Sequence, residues 1–62
     1  MRSVYEVQQL LIKFGIVVYT GDRNDDLLMM EMEILDLYHS KVIDGETMKQ
    51  AVMILRNGSN SR

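Results

Sequence analysis

The sequence predicts an all-α protein, a single compact three-helix bundle, and three observations carry that expectation. Apolar residues recur at helical spacing in three segments, residues that start and stop helices flank them, and the one β-prone run has no second strand to pair with. The helices are expected over residues 3–14, 23–39 and 45–56, inside one domain of 62 residues.

Ser3-Val4-Tyr5-Glu6 fits a capping box, in which the serine oxygen accepts an orphan amide and the glutamate reaches back to the cap. Val4, Val7, Leu10, Leu11 and Phe14 follow on the apolar face of helix one, with Glu6, Gln9 and Lys13 opposite. Gly15 is placed to end the helix in the left-handed conformation.

Ile16-Val17-Val18-Tyr19 favours extended backbone but lacks a partner strand, so it is expected as a buried connector. Thr20-Gly21-Asp22-Arg23-Asn24 reads as a turn, with Asp22 or Asn24 capping helix two and Asp25 and Asp26 on its positive end. The apolar arc of helix two is expected through Leu27, Ile34, Leu35 and Tyr38. Lys41-Val42-Ile43 is a short connection. Asp44 then caps helix three, which turns Met48, Ala51, Val52 and Leu55 to the core. Asn57-Gly58 is expected to stop it, leaving residues 58–62 as a frayed tail.

Composition excludes several classes. Without cysteine there is no disulfide, and a lone histidine cannot build a usual structural zinc site, so no metal and no cofactor are expected. The longest apolar runs, such as Leu27-Leu28-Met29-Met30, fall far short of the ~20 residues that span a bilayer. With no signal peptide in view, the expectation is a cytoplasmic protein without a membrane segment.

Catalysis has little raw material. His39 beside Ser40 is not a dyad, because adjacent helical residues point about 100° apart. His39 reads as a solvated residue favoured by the helix C-terminus. Gly15, Gly21, Gly45 and Gly58 have no phosphate-loop spacing. No catalytic residue is nominated, and the chain is expected not to be an enzyme.

Glu31 falls inside the apolar arc of helix two, where a carboxylate needs a partner. A structural contact to Arg23, Arg56 or a tyrosine hydroxyl is expected. Met29, Met32 and Met53 point away from the core arcs. They either fill gaps at its edge or, with Ile54, form a surface for a protein partner or a second copy of the chain.

Charge is unevenly spread: residues 1–24 carry +1, residues 25–40 carry -5 with no base, and residues 41–62 carry +2. Lys49 and Arg56 share a helical flank, and Lys13 and Arg23 bracket Tyr19. If the fold gathers Lys13, Arg23, Lys49 and Arg56, they could hold phosphates while Tyr19 or Tyr5 stacks a base of single-stranded RNA or DNA. Three or four phosphate contacts give a log-log salt slope of about -2 to -3.

The run Tyr5-x-Val7-Gln8-Gln9-Leu10-Leu11, then Tyr19-Thr20-Gly21-Asp22-Arg23, Leu37-Tyr38 and Ala51-Val52-Met53-Ile54-Leu55, resembles the YqgQ-like family of small Gram-positive bacterial proteins. The resemblance runs from Val4 to Arg56, and the stretch around Gly21 is its most specific part. It implies a three-helix fold, a cytosolic location, no catalytic motif and, as a functional expectation, single-stranded nucleic-acid binding. Met29-Met30-Glu31-Met32 departs from the family in its methionine content.

Overall fold

A computed structural model describes residues 1–60, with side chains as far as Gly58. Three helices follow one another: α1 (Val4–Lys13), α2 (Arg23–His39) and α3 (Gly45–Asn60). The radius of gyration, 10.6 Å, is that of a packed chain of this length.

Local hydrogen bonding sets the ends. Ser3 Oγ accepts the amide of Glu6 at 3.2 Å, as the capping box predicts, but the Glu6 carboxylate reaches one residue further, to the amide of Arg2. Asp22, rather than Asn24, caps α2 by accepting the Asp25 amide at 3.1 Å. Asp44 caps α3 through the Thr47 amide at 2.8 Å. Bonds to Asp44 from the hydroxyl and the amide of Thr47 hold its carboxyl below the ordinary value.

The first two helices end alike. After α1, Gly15 takes φ +78° while its amide donates to Ile12 and that of Ile16 donates to Leu11, the paired bonds of a Schellman turn. After α2, Lys41 adopts φ +65°, with its amide donating to Tyr38 and that of Val42 to Leu37. Here a lysine occupies the place that glycine usually takes.

The helices α2 and α3 run antiparallel. Glu31 bonds Arg56, a β-carbon at Gly45 would lie 3.7 Å from Tyr38 Cε1, and one at Gly58 would lie 3.4 Å from Leu27 Cδ2. Helix α1 packs across this pair, and Val7, Leu11, Leu27, Met30, Ile34, Ala51 and Leu55 form the sealed centre.

Four expectations need correction. The core stripe of α2 centres on Met30, with Leu35 half-buried and Tyr38 exposed. Phe14 is exposed beyond the end of α1. The connector is buried only at alternate positions: Val18 is inside, Ile16 half-buried, and Val17 and Tyr19 face solvent.

Lastly, Asn57-Gly58 does not stop α3, which continues to Asn60. A β-carbon at Gly58 would meet Val4 Cγ2 at 3.0 Å, so this helical glycine lets α1 and α2 close on the end of α3. That packing offsets the ~1 kcal/mol helix penalty of glycine. Residues 61–62 of the expected frayed tail lie outside the described residues.

Candidate functional site

The connector, the first turn of α2 and the first two turns of α1 enclose a cleft of about 580 Å³. Tyr5, Gln8, Tyr19, Gly21, Arg23 and Asp26 supply its polar lining, above Leu27 and Met30. Tyr5 and Tyr19 are 65% and 80% exposed, so both side chains are accessible to a ligand. Tyr5 stands in the capped first turn of α1, and Tyr19 precedes a turn tied to Asp26, whose Oδ1 accepts from the Thr20 amide at 2.6 Å and hydroxyl at 2.7 Å.

Arg23 also borders a second groove, of about 350 Å³, with Arg2, Ser3, Val4, Ile54, Asn57 and Gly58. Its Nη2 would lie 3.6 Å from a β-carbon at Gly58. One guanidinium therefore stands between an aromatic cleft and a groove with a second arginine. The nearby acids have roles in the backbone: Asp22 caps α2, Glu6 holds the Arg2 amide and Asp26 ties the turn.

Of the four expected phosphate-binding cations, Arg23 alone borders the cleft that the expected stacking residue Tyr19 lines. Arg56 lies in a separate groove, on the other flank of α2, with Asn24, Leu28 and Glu31. Arg56 Nη2 donates to Glu31 Oε2 at 2.9 Å and its Nε to Oε1 at 3.4 Å, which raises the Arg56 pKa above its ordinary value. Glu31 thus has the arginine partner expected of a carboxylate in the α2 arc. With the Glu31 side chain 19% exposed and that of Arg56 69%, the pair sits at the rim, where water screens it. Lys13 and Lys49 are exposed and border neither the tyrosine cleft nor the arginine groove.

Met29, Met32 and Met53 are exposed, whereas Ile54 packs against the core and lines the arginine groove. Met32 and Met53 stand on the backs of α2 and α3, opposite stripes that both turn to one core, so the two side chains diverge.

Arg2 and Gln8 were not among the candidates. Gln8 could have been found from its spacing, three residues after Tyr5 on the same flank of α1. Arg2 could not, because the end of α3 brings its groove into being.

A larger open groove, of about 850 Å³, runs past Leu10, Tyr38, His39, Lys41, Asp44 and Thr47. The His39 ring lies 5.6 Å from that of Tyr38, at 49°. Asp44 and Thr47 are joined to each other in the α3 cap. Among the described residues no group of three histidine, cysteine or acidic side chains gathers as a metal set, and no helix is long and apolar enough to cross a membrane.

A family model described as YqgQ-like matches residues 1–61. The chain is also 41% identical over 56 residues to the uncharacterised protein YqgQ of Bacillus subtilis (strain 168), an alignment that covers 90% of this chain and 79% of that protein. On both counts the chain belongs to the YqgQ-like family.

Proposed function

We propose that the chain is a cytoplasmic, non-enzymatic protein that binds single-stranded nucleic acid weakly, through the tyrosine cleft and the arginine groove beside it. The observation that carries this reading is the placement of Arg23 between the exposed rings of Tyr5 and Tyr19 on one side and Arg2 on the other. Bases stack on aromatic faces, at roughly 1–3 kcal/mol each, while guanidinium groups hold the phosphates between them. A duplex keeps its bases stacked on each other and presents no free face to the tyrosines.

Two arginines, in place of the four cations expected from the sequence, give a shallower salt dependence, with a log-log slope of about -1.4 for a single strand. The test is fluorescence anisotropy of a labelled mixed-sequence single strand, titrated with the protein at low and moderate salt, with the matching duplex as control. Saturable binding to the single strand that weakens along that slope supports the reading. Equal binding to the duplex, or none at low salt, overturns it.

A further inference from the structure

We propose that the outer face of α2 is a docking surface for a basic amphipathic helix of a protein partner. Leu28, Met29 and Met32 are 63%, 43% and 65% exposed. At 3.6 residues per turn they fall within an arc of about 100°, on the side of α2 away from the buried Leu27, Met30 and Ile34. Leu28 also walls an apolar groove of about 250 Å³ beside Leu55 and the Glu31–Arg56 pair, which gives one large side chain a recess next to the stripe. In so small a chain, three contiguous large apolar groups left in water mark a surface that another molecule covers. The flexible thioethers of methionine adapt readily to a partner.

The charge around the stripe selects the partner. Residues 25–40 carry -5 with no lysine or arginine. Asp25 stands one turn before Met29, Asp36 one turn after Met32 and Glu33 one turn after Met29, and none of the three pairs with a cation among the described residues. Asp25 and Asp36 lie about 16 Å apart along the axis, about three turns. A helix that lays apolar side chains on Leu28 and Met32 and carries lysine or arginine three turns apart meets both acids at once. A second copy of the chain fits poorly, because two-fold pairing of the stripe sets Asp25 and Asp36 against the same carboxylates of the copy. The same acids repel a nucleic-acid strand or an anionic membrane, so this face is separate from the tyrosine cleft and does not rest on the single-strand reading.

The experiment titrates the protein into labelled amphipathic peptides followed by fluorescence anisotropy: one with a leucine face flanked by lysines, one with glutamates in place of the lysines, and a scramble of the first. Wild type is expected to bind the lysine peptide at least about tenfold tighter than either control. The double variant Leu28→Ala, Met32→Ala should lose about tenfold or more in affinity through the apolar area it no longer buries. Asp36→Lys should lose about threefold or more and show a weaker salt dependence. All three positions are exposed, and circular dichroism checks that the helices are retained. Tyr19→Ala should bind the peptide as wild type does, whereas a loss there would put the peptide in the tyrosine cleft and overturn the proposal. No binding, equal binding of the lysine peptide and its scramble, or binding undiminished in both variants overturns it too. Light scattering of the protein alone tests the remaining occupant: a dimer that the double alanine variant breaks would mean that a second copy covers the stripe, against the proposal.

Discussion

Asp26 accepts two hydrogen bonds from Thr20, from its amide at 2.6 Å and its hydroxyl at 2.7 Å, and so ties the first turn of α2 back to the end of the connector. Tyr19, one residue earlier, lines one cleft with Arg23 and Tyr5. Asp26→Ala removes the acceptor and should cost about 1 kcal/mol, whereas Asp26→Asn keeps a side-chain oxygen and should cost less. Thermal melts measure the loss, and hydrogen exchange at the Thr20 amide should accelerate in the alanine variant alone.

Met30 and Met32 are two residues apart and differ completely in environment, 2% against 65% exposed. Met30→Ala should destabilise the chain by about 2–4 kcal/mol, a large share of what so small a core supplies. Met32→Ala should stay within about 0.5 kcal/mol of wild type. Urea unfolding of the two variants checks which stripe of α2 faces inward.

Lys41 has φ +65°, a backbone region costly for a side chain with a β-carbon, in a turn whose hydrogen bonds match those around Gly15. Lys41→Gly should therefore raise stability by about 1 kcal/mol, seen as an increase in Tm.

The Asp44 cap makes stability depend on pH. Its carboxyl is lowered below 3.8 in the folded chain by the hydroxyl and amide of Thr47. The ionised cap therefore contributes fully above 3.8, and the contribution is lost as pH falls through the lower folded value. Asp44→Ala should melt below wild type at neutral pH, and the gap between the two Tm values should narrow as the pH is lowered below 3.8.

Ser3, Gly15, Asp22 and Asp44 were legible in the sequence because a cap or a left-handed turn is a local event between residues a few positions apart. The Glu31–Arg56 contact was legible as a need: a carboxylate in the α2 arc had to find a cation. The facing of α2 was not, because Leu27, Leu28, Met29, Met30 and Met32 surround the helix with apolar groups and periodicity alone does not choose among them. Gly58 misled for a related reason. Its neighbours Val4 and Leu27 are far away in the chain, and only their packing makes a helical glycine favourable. The candidate site divides in the same way. Tyr19 and Arg23, four residues apart across one turn, line one cleft, while the grouping of Lys13, Lys49 and Arg56 with them depended on tertiary packing that carried Arg56 to another groove.

The central claim is that exposed tyrosines beside Arg23 bind an unpaired strand. Its most direct test is the affinity of wild type, Tyr19→Ala and Tyr5→Ala for one labelled single strand at low salt, since both rings are exposed and their loss should leave the fold intact. Each substitution is predicted to weaken binding by about fivefold or more, the loss of one stacked base, with the salt slope unchanged. Undiminished binding by both variants would contradict the account.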